Sequence, residues 1–124
     1  MTRKDIEKHM LEAYGCTPEY PWFKFPRYAV YRHSENRKWF AVVMDLPKRK
    51  FGFDEDMLVD VMNLKCDPML IGSLLSEKGI FPAYHMNKGS WISVMLDGSV
   101  DTEEIKWLID ISFELTMKKL KTRR

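Results

Sequence analysis

Cysteine is scarce in this chain: two in 124 residues, Cys16 and Cys66, far apart and without Cys-x-x-Cys spacing. Such usage excludes a disulfide framework or a paired-cysteine zinc site and points to reduced thiols in a cytoplasmic protein. Long hydrophobic runs are missing as well, since none approaches the ~20 apolar residues needed to span a bilayer. The opening Met1-Thr-Arg-Lys-Asp-Ile-Glu7 lacks the apolar stretch of a secretory signal. The three histidines, His9, His33 and His85, are widely separated, with no His-x-x-Glu-His motif. There is no Gly-x-Ser-x-Gly elbow and no glycine-rich phosphate loop. These absences remove the usual signatures of metal, nucleotide and nucleophilic chemistry. The expectation is a non-enzymatic protein with no cofactor and no membrane role.

What is present suits one globular domain over residues 1–124, with 45% hydrophobic and 31% charged residues. The net charge of +2 hides zones of opposite sign. Residues 17–50 carry eight Lys/Arg against three acids, and residues 115–124 carry five Lys/Arg and no acid. Residues 51–60 carry four acids and no base, and residues 101–114 carry five acids and Lys106. A local basic zone attracts a polyanion even when the whole molecule is nearly neutral.

Apolar residues at Ile6, Met10 and Tyr14 step by four, which suits one helix face, with Thr2 as N-cap and Gly15 as stop. The segment Thr17–Pro26 holds three prolines and four aromatics, so it is an irregular loop expected to pin itself to the core through Tyr20, Trp22, Phe23 and Phe25. Tyr28–His33 and Lys38–Leu46 read as an antiparallel hairpin about the turn Ser34-Glu-Asn-Arg37. Leu58–Lys65 is a third strand with Asp60 facing solvent. Asp67-Pro68 starts a helix through Leu70, Ile71, Leu74 and Leu75 that stops at Gly79. Phe81–Met86 and Trp91–Leu96 form a second hairpin around Asn87-Lys-Gly-Ser90. Asp101 and Glu104 have capping-box spacing ahead of a last helix through Ile105, Leu108, Ile109, Ser112, Thr116 and Leu120. The order αβββαββα predicts a two-layer α+β domain: an antiparallel five-stranded sheet, helices packed on one face and solvent on the other.

The candidate nucleic-acid contacts are the cations of the turns. Arg32, Arg37 and Lys38 surround the first turn, Lys88 lies in the second beside Asn87, and Lys48-Arg49-Lys50 forms a basic triplet. Such side chains bind phosphates and release condensed counterions. The tail Lys118-Lys-Leu-Lys-Thr-Arg-Arg124 adds charge that also suits a helix C-terminus. Cys66 at a helix entrance is the best reactive-thiol candidate, opposed by the charge of Asp67, and His85 is a candidate general base. Trp22, Trp39, Trp91, Trp107 and Tyr84 read as core or core-edge packing, or as a stacking platform on the open sheet face. Nine methionines suit an adaptable core or a protein-binding groove.

Several stretches together resemble the MmcQ/YjbR family. They are Tyr20-Pro-Trp22, Trp39-Phe-Ala-Val42, Asn63-Leu-Lys-Cys-Asp-Pro68, Pro82-Ala-Tyr-His-Met-Asn-Lys88 with Trp91-Ile92, and Leu96-Asp-Gly-Ser-Val100 leading to Ser112-Phe113. The resemblance implies a CyaY-like fold and a double-wing DNA-binding protein, and iron-binding relatives of that fold draw attention to Asp54-Glu-Asp56. The expected function is a monomeric DNA-binding accessory protein using Arg32, Arg37, Lys38, Lys48, Arg49, Lys50, Asn87 and Lys88. The alternative is a protein-interaction or chaperone-like adaptor with no nucleic-acid role.

Overall fold

The computed structural model describes residues 1–117. Its elements follow the expected order: α1 (Arg3–Tyr14), β1 (Ala29–Arg32), β2 (Trp39–Pro47), a 3-10 turn (Lys48–Phe51), β3 (Leu58–Lys65), α2 (Pro68–Leu74), β4 (Ile80–Pro82), β5 (Trp91–Met95) and α3 (Thr102–Thr116). The five strands form one antiparallel sheet in the order β1-β2-β3-β5-β4. Leu120 and the cationic tail lie outside the described residues. Among the described residues, no helix is long and apolar enough to cross a membrane.

Strand register sorts the core into two sets, because side chains alternate across a strand. The cross-sheet rows Ala29–Val43–Met62–Val94–Ile80 and Tyr31–Ala41–Leu64–Ile92 face the helices. They pack against Ile6 and Met10 of α1, Ile71 and Leu74 of α2, and Ile105, Leu108 and Ile109 of α3. Phe40 is an extra residue at a bulge, where the pairing shifts between Tyr31/Ala41 and Arg32/Trp39. The Ser112 hydroxyl of α3 satisfies this irregularity: it donates to the Phe40 carbonyl at 2.5 Å and accepts from the Lys65 N–H at 2.8 Å.

The other sheet face is not open to solvent, which corrects the expectation from alternation. Val30, Val42, Met44, Leu46, Val59, Val61 and Met95 are buried there beneath Trp22, Tyr28, Trp39, Phe51, Phe81 and Tyr84. The reason is that the loops on either side of the strands fold back over the sheet. The signal was in β2, whose Phe40-Ala-Val-Val-Met44 is a continuous apolar run, the mark of a strand buried on both faces.

Local expectations fared unevenly. Thr2 caps α1 as expected, in a full capping box with Asp5. Asp101 precedes α3 without a side-chain cap; the Glu104 side chain meets Glu77, and that contact raises its pKa to about 7. Helix α2 ends at Leu74, and a run of turns carries the chain to Gly79 at φ 88°. Asp60 is half-buried rather than solvent-facing, since Arg3 Nε reaches it at 2.9 Å. In the proline loop only part of the aromatic set packs. Trp22 meets Trp39 edge-on at 5.5 Å and Phe25 stacks on Tyr28 at 4.7 Å, whereas Phe23 is 99% exposed.

Candidate functional site

One cross-sheet row on the face away from the helices runs Val30–Val42–Asn63–Ser93–Phe81 and places two polar residues side by side in an apolar surface. A buried polar group requires a partner, and here three residues close a ring. The Asn63 amide donates to the Tyr84 carbonyl at 2.8 Å. The Tyr84 N–H donates to the Ser93 hydroxyl at 2.9 Å, and that hydroxyl donates to Asn63 Oδ1 at 2.5 Å. Both backbone groups of Tyr84 are therefore bound to side chains instead of a strand ladder. This explains why β4 stops at Pro82, four residues short of the expected Met86, with His85 in the left-handed region at φ 56°. The expected tight turn is instead a loop over residues 83–90, held at its base by the Asn63–Ser93–Tyr84 ring.

That ring fixes one wall of a hollow of about 190 Å³ lined by Trp22, Phe25, Tyr28, Trp39, Tyr84 and His85, with Val42, Met44 and Asn63 beneath and Met86 at the side. Its lining is almost wholly apolar. Asn63, 1% exposed, is a polar atom source at its floor. Tyr84 also lines a neighbouring depression with Lys50, Phe51, Phe81, Pro82, Ala83 and Lys88. Antiparallel polarity puts the turn 33–38 and the loop 83–90 at the same end of the sheet. With strands roughly 4.8 Å apart, three spacings separate them by about 14 Å. The turn 33–38 leans onto the helix face, where Asn36 donates to the Thr116 carbonyl at 2.9 Å and His33 bonds with the Thr116 hydroxyl at 2.8 Å, whereas the loop 83–90 borders the aromatic surface.

The eight sequence-derived contacts divide by electrostatics. Arg32 pairs with Glu19 at 3.2 Å, Lys48 with Glu55 at 3.3 Å and Arg49 with Asp56 at 2.6 Å. A polyanion must displace those carboxylates to use these three cations. Arg37, Lys38, Lys50 and Lys88 are exposed and make no ion pair among the described residues. Arg37, at φ 64°, lines a different cavity of about 320 Å³ together with Arg32, Glu19, Cys16 and His33. Asn87 spends its side-chain oxygen on the Gly89 N–H at 2.8 Å, shaping the 83–90 loop from within. The structure thus gathers Lys50 and Lys88 at one depression and Arg32 and Arg37 at another cavity, so the predicted contacts do not share one surface.

The other candidates are equally plain. Cys66 is buried at the entrance of α2, where burial, reinforced by Asp67, pushes its thiol up; a protonated, inaccessible sulfur is a poor nucleophile. Trp107 stands half-exposed on α3, while Trp22, Trp39 and Tyr84 pack at the edge of the core on the sheet face away from the helices, the core-edge placement that was expected. Sequence reasoning missed Phe51 and Phe81, which meet at 5.1 Å and extend that aromatic surface, and it missed the Asn63–Ser93 pair. Only their strand register reveals the latter.

A family model described as YjbR matches residues 11–115. The chain belongs to the YjbR family. Among YjbR relatives, the uncharacterized protein YyaQ of Bacillus subtilis is 44% identical over 116 residues, covering 94% of this chain and 98% of its own length. The uncharacterized protein YjbR of Escherichia coli K12 is 35% identical over 54 residues, 43% of this chain and 46% of the relative. A crystal structure of a Pseudomonas syringae protein superposes with a TM-score of 0.92 at 49% identity, covering 94% of this chain and 100% of that one. A Deinococcus radiodurans protein with a DUF419 domain follows at a TM-score of 0.72 and 25% identity, covering 98% of this chain and 83% of its own.

Proposed function

We propose that this YjbR-family chain is a non-enzymatic nucleic-acid-binding accessory protein whose contact surface is the aromatic sheet face. The observation that carries this reading is the meeting of Lys50 and Lys88, from segments distant in sequence, around Phe51, Phe81 and Tyr84. Neither lysine has a carboxylate partner among the described residues, whereas Glu55 is paired with Lys48, Asp56 with Arg49 and Asp45 with Arg27 at 2.9 Å, leaving exposed Asp54 as the acid of that loop without an ion pair among the described residues. Cations free to leave water for phosphate, set beside π-faces, are the recurring parts of a polynucleotide surface.

Binding of labelled oligonucleotides, measured by fluorescence anisotropy across a salt series, tests this. Each neutralised phosphate steepens the log K against log salt slope by roughly 0.7 to 0.9. The double variant Lys50→Gln/Lys88→Gln is expected to flatten the slope by about 1 to 2 and leave the melting temperature unchanged. An unchanged slope in this variant refutes the assignment of these lysines.

One observation favours a second reading. Phe23, 99% exposed beside Trp22 in sequence, offers an apolar anchor to a protein partner, as an adaptor or chaperone-like module does. Recovery of one protein partner after nuclease treatment, lost on Phe23→Ser, supports that reading over nucleic acid.

A further inference from the structure

We infer that the hollow beneath Trp22, Phe25, Trp39 and Tyr84 seats an unstacked base, so that the ligand is a single strand and not a duplex. The inference rests on the proposed nucleic-acid role and names its substrate class. Bases in a duplex offer edges to a protein, and their faces are hidden in the stack. The lining of this hollow is made of ring faces and edges: Phe25 stacked on Tyr28, Trp22 perpendicular to Trp39 at 87°, and Tyr84 against His85 at 4.0 Å between centroids. Such a surface has little to give a base edge and much to give a base face. A volume of about 190 Å³ admits a ring system but no helix. At its floor the Asn63 amide uses one hydrogen on Tyr84, so its other hydrogen is free for an acceptor on the inserted ring. Lys50 and Lys88 line the neighbouring depression, which shares Tyr84 with the hollow and would take the backbone of a strand entering it. Charge complementarity on one side and aromatic lining on the other commit the surface to this occupant.

Intrinsic tryptophan fluorescence reads the event, because two of the four tryptophans, Trp22 and Trp39, line the hollow while Trp91 and Trp107 do not. The full chain is titrated with an oligothymidylate of roughly 10 nucleotides, within the usual site size, and with a duplex of the same length. The expected result is quenching by the single strand, tighter binding of it than of the duplex, and loss of both in Phe25→Ala. Losing one stacked base weakens binding by roughly 5- to 100-fold. Phe25 is half-exposed, so this variant keeps the fold; Trp39→Phe, which retains a ring, is expected to keep single-strand binding and serves as the second variant. Duplex binding as tight as single-strand binding, without quenching, overturns the inference and leaves the proposed function standing. Absence of binding to either overturns both. Quenching by an apolar peptide and by no oligonucleotide overturns both in favour of a protein partner.

Discussion

Replacing Asn63 by alanine is expected to loosen the loop that carries Tyr84, His85 and Lys88 without removing any charge. Asn63 is 1% exposed and makes two hydrogen bonds, one to the Tyr84 carbonyl at 2.8 Å and one from the Ser93 hydroxyl at 2.5 Å. Alanine deletes both and strands a carbonyl and a hydroxyl in a mostly apolar surface. Each bond is worth about 1 kcal/mol net, and each stranded group costs about 1–3 kcal/mol where water cannot reach it, so a loss of roughly 2–4 kcal/mol follows. In a domain of this size each kcal/mol moves the melting temperature by about 3–6 °C. Thermal unfolding should therefore show a fall of roughly 6–24 °C. Hydrogen exchange at the Tyr84 amide, which the ring protects through Ser93, should accelerate more than exchange in β2 and β3. A shift under about 2 °C, or unaltered Tyr84 exchange, would show that the ring does not hold the loop.

Ser112→Ala removes the hydroxyl that serves both the Phe40 carbonyl and the Lys65 N–H at the bulge; a loss of about 2–4 kcal/mol in urea unfolding is expected, with the m-value unchanged. Glu104 has a folded pKa raised to about 7 from 4.5, first through its bond with Glu77. The folded state therefore holds the proton more tightly, so this stability is fully present below pH 4.5 and is lost as pH rises through 7. Glu104→Gln should raise the melting temperature at pH 8 and change little at pH 4. His33 runs the other way: burial depresses its pKa below 6.5 while Nε2 bonds with the Thr116 hydroxyl at 2.8 Å. The unfolded chain binds the extra proton first, so stability is complete above pH 6.5 and declines as pH falls below it. In the Glu104→Gln background, where the opposing term is gone, melting temperature should fall monotonically between pH 6.5 and 5.

How legible this was depended on the range of the cause. The αβββαββα order, the helix entrance at Asp67-Pro68 and the Thr2 cap rest on neighbours in sequence, and all are present. Asp101 and Glu104 have equally good spacing, yet Asp101 makes no side-chain cap and Glu104 meets Glu77, from the turns after α2. The burial of the second sheet face was readable from the unbroken run in β2, but what covers it was not, because Trp22 and Phe51 arrive from separate loops. Asn63 and Ser93 look like ordinary polar strand residues until the β3–β5 register sets them side by side. The pairing of Arg32, Lys48 and Arg49 with Glu19, Glu55 and Asp56 likewise depends on how loops fold back. Charge counts locate basic segments; only packing tells which cations remain available.

The proposed binding of nucleic acid at the aromatic sheet face is tested most directly by NMR chemical-shift mapping of the full chain during titration with a single-stranded oligonucleotide at low salt. The expected result is perturbation of the Trp22 and Trp39 indole N–H signals and of amides at Asn63, Tyr84, His85 and Lys88, with α1 and α2 unmoved. Perturbations centred on the Cys16–Arg32–Arg37 cavity or on the helices, or none at all, would contradict it.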